Sequence, residues 1–565
     1  MAKAQMQKAL IAALEKAGVA KEHAKNIETP PKREMGDFAF PCFAMAKELK
    51  KSPIEIAKEL CAKIKLPKGF THAQAKGPYL NFFVDDSAYA QEIMAAAIEK
   101  EKKKPAKGKP IIVEYCQANP LKSFHIGHVR NICLGESIAR LFETRGKKVI
   151  RANYEGDVGP HVSKTIFAYQ KLWKGKEPTD IKEIGQWLGE LYALGAQAVK
   201  GDEELEQKMR DMVVALERKD KKLVADWKKL RKQSLEYFDS IYMELGIKFD
   251  RIILESEVEK DGIEIAKKLH AQGFAKKDEG ALLVDLTEYG LEKFLVLKSD
   301  GAALYSSKDI ALAKMKKKEM GAQKSYNVVG SEQKFYFQQL IKTLELLNAK
   351  KPEYCETEHV PYELVKAEGG KMSSREGNVI TYAELYDRVY EKTLAETAQR
   401  HADWDAKRII KAANAIALTA IKFGMLAQDK NKSIIFNWDR ATSLEGETGP
   451  FVQYSHARAL SILEKAGVPK KPKKIVLGHA KEKELLAVLG SFEDVEIEAA
   501  NNLSPHKICH YCLELASAFN SFYQECQVLN AQPEIRETRL ALVNACAKTL
   551  EKALKLLNID AMAEM

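Results

Sequence analysis

The stretch PIIVEYCQANPLKSFHIGHVRN, residues 110–131, decides the fold. It opens with an apolar, β-rich run, and from residue 126 onward Val129, Ile132, Ile138 and Phe142 recur at helical spacing. KKVIRANY, residues 147–154, is a second apolar strand. Strand, helix, strand predicts a parallel βαβ unit, because parallel strands need a crossover. His125, Gly127 and His128 fall at the strand-to-helix junction, where free N–H groups and the positive end of the helix dipole favour an anion. Gly127 lets a ligand approach the backbone, and the two imidazoles can donate to phosphate oxygens. The junction is expected to hold a nucleotide triphosphate, although helix capping accounts for the same four residues taken alone.

Working outward, strands return at ALLVDL (281–286), KFLVLKSDG (293–301) and SYNVVG (325–330), the last running into the helical EQKFYFQQLIKTLELLNA. Between the halves, residues 165–250 are helical and rich in charge. This pattern predicts a split, doubly wound, Rossmann-type parallel sheet over residues 106–400, with a helical insertion near 165–250. Residues 1–105 form a smaller α+β unit. It begins with an amphipathic helix carrying Met6, Leu10 and Leu14 on one face and ends in the charged linker EKEKKKPAKGKP (99–110). Residues 401–565 read as helix almost throughout, starting with AKRIIKAANAIALTAIKFGML, and predict an all-α bundle interrupted by the basic loop VPKKPKKI (468–475).

A chain of 565 residues is too long for one core, which agrees with this multidomain α/β division. Hydrophobic residues at 45% and charged residues at 30% exclude a disordered or fibrous class. The net charge of +11 permits a polyanionic partner without requiring one. The nine scattered cysteines suit reduced thiols, and HKICHYC (506–512) has no second ligand pair at zinc spacing, so no protein-bound zinc is expected. No signal peptide or membrane-spanning stretch is read, and a cytoplasmic protein is expected.

The second phosphate-directed segment is EGGKMSSREGN, residues 368–378. Its glycines, with Lys371, Ser373, Ser374 and Arg375 as donors, suit a basic loop that closes over a triphosphate.

At this point the chain resembles a known group. HIGH at 125–128 and KMSSR at 371–375 are similar to the two signatures of class I aminoacyl-tRNA synthetases. Within that class the resemblance is to arginyl-tRNA synthetases. VEYCQANPLKSFHIGH, NYEGDVG (153–159) and LYSSKDIA (304–311) resemble catalytic segments of that family. GPFVQYSHARALSIL (449–463) resembles the opening of its anticodon-binding domain, and GDFAFPCFAMAKEL (36–49) its N-terminal domain.

The resemblance implies attachment of L-arginine to tRNA(Arg) through an arginyl-adenylate, with ATP and Mg2+, by a monomer whose amino-acid activation depends on tRNA. It assigns catalytic roles to Lys122, His125, His128, Lys371 and Arg375. ATP would meet Lys122, His125, Gly127, His128, Lys371, Met372, Ser373 and Ser374, with no metal ligand from the protein. Arginine would meet Glu114, Gln117, Asn119, His125, Glu255, Tyr305, Asp309 and Gln333. Tyr79, Asn81, Tyr454 and Arg458 would contact tRNA. The second lysine of the KMSKS signature is Ser374 here, and Lys122, just before HIGH, is expected to stand in for it.

The acids suit that substrate on physical grounds, since a planar, permanently charged guanidinium needs oriented carboxylates and a hydroxyl. They would repel an apolar amino acid. Rival readings are a class I synthetase for lysine or glutamate, a small nucleotidyltransferase, and a synthetase-derived protein that binds RNA without catalysis.

Overall fold

The computed structural model describes residues 2–30, 35–99, 106, 108–366, 379–435, 437, 443, 446–467, 472 and 474–565. Its central sheet has five strands: β1 (Ile111–Glu114), β2 (Val149–Glu155), β3 (Arg251–Leu254), β4 (Lys324–Gly330) and β5 (Glu356–Tyr362). They are ordered β5-β4-β1-β2-β3 and every pair is parallel. This is the doubly wound sheet expected from the βαβ pattern, and its order reverses between β1 and β4, where such folds bind ligands beyond the strand carboxyl ends.

The runs at 281–286 and 293–301 do not join that sheet. Ala281–Val284 and Phe294–Leu297 pair antiparallel with each other, and Lys276–Asp278 completes a separate three-stranded sheet. The strand that fills the place beside β2 is the four-residue β3, whose apolar core is too short to announce itself by periodicity.

The pairing register sorts side chains to two faces. Glu114 lies opposite Ala152 on one side and Asn327 on the other, and Tyr154 opposite Ile253. Because alternate residues point to opposite faces, Glu114, Tyr154 and Asn327 share one face while Val113, Asn153, Glu155 and Val328 share the other. Helices α1 (Ile126–Thr144) and α2 (Lys221–Glu244) cover the second face through Val129, Ile132, Phe238 and Ile241. Helices α3 (Glu255–Ala271), α4 (Tyr305–Glu319) and α5 (Lys334–Lys350) cover the first through Val258, Ile310 and Leu340.

The insertion between β2 and β3 consists of helices Pro160–Phe167, Ile181–Val199, Glu203–Glu217 and α2. Asp157 ties it down, accepting from Arg231 at 2.6 Å and from the Ser256 backbone N–H at 2.9 Å. The N-terminal unit packs Met6, Leu10 and Leu14 against an antiparallel sheet ordered Phe38–Pro41, Tyr79–Val84, Phe70–Lys76.

The C-terminal region is helical, with α6 (Ala406–Leu426), α7 (Gly449–Ala466), α8 (His506–Glu525) and α9 (Pro533–Leu556). By length and composition α6 could cross a membrane, contrary to the reading of the sequence. In the structure it is a core helix, with Ala413, Ile416, Ile421, Met425 and Leu426 buried. Cys509 and Cys512 are buried in the same bundle, and every described cysteine is free.

Candidate active site

The loop from β1 to α1 carries three non-glycine residues in left-handed backbone conformations, Cys116 at φ 82°, Gln117 at 48° and Leu121 at 70°. Such strain is held by surrounding bonds and clusters at functional sites. Here the Cys116 N–H donates to Asn131 Oδ1 at 2.6 Å, the Gln117 N–H to Asn153 Oδ1 at 3.0 Å, and the Leu121 N–H to Ser234 at 3.0 Å. Asn131 also donates to Gln117 Oε1 at 3.2 Å and to the Val328 carbonyl at 2.8 Å, joining the loop to β4. These anchors were missed in the sequence, where nothing distinguishes Asn131 or Asn153 from other polar residues.

At the α1 N-terminus the rings of His125 and His128 stack at 3.8 Å. The backbone N–H of His125 donates to His128 Nδ1 at 3.2 Å. An acceptor Nδ1 leaves the neutral ring's proton on Nε2, available to a ligand. Gly127 leaves room for this stack, since a Cβ would sit 3.0 Å from the His125 ring and press on it.

Burial first, and the Lys122 charge after it, lowers His125 to about 4. Burial also holds His128 well below the usual range, with His125 and Lys122 adding to the effect. His161, which the sequence reading did not select, joins them. Its Nε2 donates to the Gly156 carbonyl at 2.9 Å, and burial followed by Lys122 lowers it to about 3. Lys122 thus stands among three neutral imidazoles, with its ammonium 5.1 Å from the Tyr192 ring centre.

Lys371, Met372, Ser373, Ser374 and Arg375 lie outside the described residues. Their flanks do not. The Ile126 N–H donates to the Ile380 carbonyl at 3.0 Å, and the Tyr382 N–H to the Phe124 carbonyl at 2.8 Å. On the other flank the buried Arg130 of α1 donates to the carbonyls of Leu364 at 3.4 Å and Lys432 at 2.8 Å. Both ends of the segment bearing the second motif are therefore fastened to the helix bearing the first.

The acids expected to read a guanidinium gather on the first face of the sheet, in three different states. Glu114 pairs with Lys316 at 2.7 Å and accepts from Asn327 at 2.7 Å. Lys316 donates to Ser325, and Ser325 to Asn327, closing a buried ring. Both carboxylate oxygens of Glu114 are thus engaged within the protein. Glu255 accepts from Lys308 at 2.9 Å, and Lys308 also lies 3.3 Å from Glu259. The other Glu255 oxygen approaches Asn119 beside Gly156, where a Cβ would come to 2.4 Å from Asn119 Oδ1 and 3.0 Å from Glu255 Oε2.

Asp309 accepts from the Tyr336 hydroxyl at 2.5 Å and forms no ion pair among the described residues. Burial, with Glu114 and Glu255 nearby, raises it to about 7 against the Tyr336 bond and Lys316. Tyr305, four residues before it, is 60% exposed at the rim. Gln333 is exposed on the turn after β4, and its neighbour Glu332 folds against Gly330. Behind the loop Glu155 is buried with Asn153 and Tyr242 as donors, and burial pushes it up to about 8.

The distant candidates divide. Asn81 sits in the middle strand of the N-terminal sheet and is only 3% exposed in the free protein. Tyr79 is partly buried and meets the exposed Phe43 edge-on at 5.6 Å. Arg458 donates to Tyr454 at 2.9 Å and to Asn520 at 2.8 Å, and lies over the rings of Tyr454 and the exposed Tyr523. Tyr523 was missed because it comes from α8, remote in sequence. Among the described residues no cluster of His, Cys, Asp or Glu is arranged to hold a metal ion.

Comparison with known proteins agrees along the whole chain. Residues 91–438 match the family model "tRNA synthetases class I (R), catalytic domain", residues 452–565 the "DALR anticodon binding domain", and residues 4–84 the "Arginyl tRNA synthetase N terminal domain". The arginine–tRNA ligase of Clostridium perfringens is 36% identical over 549 residues, covering 96% of both chains. That of Bdellovibrio bacteriovorus is 35% identical over 556 residues, covering 96% of this chain and 94% of its own. Among solved structures, the arginyl-tRNA synthetase of Thermus thermophilus superposes with a TM-score of 0.81 at 29% identity over 100% of both chains. The Plasmodium falciparum enzyme shares the fold, with a TM-score of 0.76 at 19% identity over 99% of this chain and 98% of its own.

Proposed function

The chain belongs to the arginyl-tRNA synthetase family, and from that premise we propose how its own residues perform the reaction. The protein attaches L-arginine to tRNA with consumption of ATP. The observation that carries the residue assignment is that Asp309, alone of the three gathered acids, has no cation paired with it among the described residues.

Asp309 takes the guanidinium, with Tyr305 closing over it at the rim and Glu255 beside it. Lys316 and Lys308 hold the charges of Glu114 and Glu255, so the pocket answers one substrate cation. Gln117, whose buried Nε2 has no hydrogen-bond partner among the described residues, and Asn119 face the backbone end of arginine, with Gln333 on the turn after β4 for its α-ammonium. The Gln117 and Asn119 assignments are supported by the strained loop that holds them.

His125 and His128 donate to the triphosphate as neutral rings, Gly127 admits it to the helix N-terminus, and Lys122 supplies the fixed positive charge beside them. Lys371, Met372, Ser373, Ser374 and Arg375 are assigned to the same phosphates from the KMSSR motif, supported by the two flanks fastened to α1. Magnesium arriving with ATP would supply further positive charge beside Lys122, His125 and His128 at the triphosphate.

Positioning does the chemical work. A carboxylate oxygen of arginine bonds to the α-phosphorus as the bond to the bridging oxygen of pyrophosphate breaks; a hydroxyl oxygen of the tRNA terminal ribose then bonds to the arginyl carbonyl carbon as its bond to the phosphate oxygen breaks, releasing AMP and the hydroxyl proton. No side-chain nucleophile is used.

Tyr454, Arg458 and Tyr523 form a stacking platform for the anticodon arm, and Tyr79 with Phe43 a second one on the N-terminal unit. A single chain is taken as the acting unit, as the family resemblance implies. Free cysteines throughout support a reducing, cytoplasmic setting.

Pyrophosphate exchange into ATP with each of the twenty amino acids, with and without tRNA, tests the reading. Exchange confined to arginine and requiring tRNA is expected, while exchange with lysine or glutamate refutes the pocket assignment.

A further inference from the structure

We propose that Tyr154 is a further specificity-determining residue of the arginine pocket, its hydroxyl accepting a guanidinium N–H; this rests on the reading of the pocket given above.

The strand register carries the argument first. Tyr154 stands on β2 with Ala152, which lies opposite Glu114, so the phenol and Glu114 share the face that α3 and α4 cover. Neither Asn153 nor Glu155 can take that place, because both point to the opposite face, where they bond to each other and to Tyr242.

The second observation is independent of the first. The Tyr154 hydroxyl is buried and has no hydrogen-bond partner among the described residues. A buried phenol without a partner carries an uncompensated desolvation cost, and tyrosines placed inside proteins usually find one. The charges that act on this hydroxyl are those of Asp309, Glu255 and Glu114, with Tyr305, the set already gathered for the guanidinium. Burial, followed by those acids, pushes its ionisation well above the ordinary tyrosine value, so it stays neutral with an oxygen lone pair to offer. Glu114 and Glu255 are engaged with Lys316 and Lys308, and the Tyr336 hydroxyl is spent on Asp309. A guanidinium brings five N–H donors in a fixed plane, more than the one open carboxylate can accept. The Tyr154 oxygen supplies an acceptor that the acids do not.

The orphan hydroxyl makes the test two-sided. Tyr154→Phe removes a group that bonds to nothing in the free protein, so its melting temperature should be equal to or above that of the wild type. The KM for arginine should rise about tenfold or more, with the KM for ATP and the kcat at saturating arginine unchanged. The rise in melting temperature produced by L-arginine should shrink accordingly. An arginine KM within twofold of the wild type overturns the proposal, and so does a variant that melts several degrees lower with kcat and KM both impaired, which would mark a structural hydroxyl. A wild-type protein whose melting temperature and exchange ignore arginine defeats the pocket reading itself, an outcome distinct from an unresponsive substitution.

Discussion

Asp309 and Tyr336 meet at 2.5 Å, the hydroxyl of one helix donating to the carboxylate of another, while the neighbouring acids Glu114 and Glu255 are each bound to a buried lysine. The pocket's charge is therefore uneven by construction. Two acids are spoken for, and one is held in place by a neutral donor.

Asp309→Asn should raise the KM for arginine by about a hundredfold, corresponding to about 3 kcal/mol for removing one charge from a desolvated pair. The KM for ATP should be unchanged. Steady-state kinetics checks both, and equal losses for the two substrates would show a collapsed site.

Asp309 is raised to about 7, so in the free protein it holds a proton below that pH. Binding a guanidinium favours the ionised form and expels the proton. Arginine affinity should accordingly fall by about tenfold per unit as pH drops well below 7, and level off above it. In the free protein the sign is reversed: a carboxyl raised on folding contributes stability that is lost as pH climbs from the unfolded value toward 7. Arginine titrations between pH 5.5 and 8.5, with Asp309→Asn as the flat control, measure the effect. Neutral His125, lowered to about 4, and His128, held well below the usual range by burial, should add no break in that window.

Lys316→Met should destabilise the protein by about 3–5 kcal/mol, because it strands the buried Glu114 carboxylate. Adding Glu114→Gln should restore much of that loss. A denaturant titration of the two variants decides, and additive losses would show that the ring through Ser325 and Asn327 is not a coupled unit.

Lys122→Ala should lower the rate of adenylate formation by about a hundredfold while changing the KM for ATP much less, since its charge stands beside the imidazoles. Single-turnover measurement checks this. Unchanged turnover would remove Lys122 from the account of the missing KMSKS lysine.

Arg458→Ala should raise the KM for tRNA about tenfold and leave that for arginine alone, because it dismantles a stack between Tyr454 and Tyr523 far from the acids. Aminoacylation at varied tRNA concentration tests it.

The order of these elements was legible in the sequence where periodicity and a junction coincide. The β1–α1 stretch, the helical insertion and the C-terminal bundle all follow from it. Asp309 and Glu255 were legible because chemistry and motif point to the same residues. Their partners were not. Lys308 and Lys316 look like members of a charged helix, and only the packing of α4 against α3 and β1 turns them inward. Tyr154 has the same parity as Glu114 only once β1 and β2 are paired in register, a relation across the intervening helix that no local window contains. The burial of Asn81 was not legible either, since alternation cannot tell a central strand from an exposed edge.

The most direct measurement is the structure of the protein with L-arginine bound, and in it the distance from the guanidinium to the carboxylate of Asp309. The account predicts a bidentate contact at about 2.8 Å, with Glu114 and Glu255 still on Lys316 and Lys308. An arginine side chain seated elsewhere, with Asp309 bonded to Tyr336 alone, would contradict it.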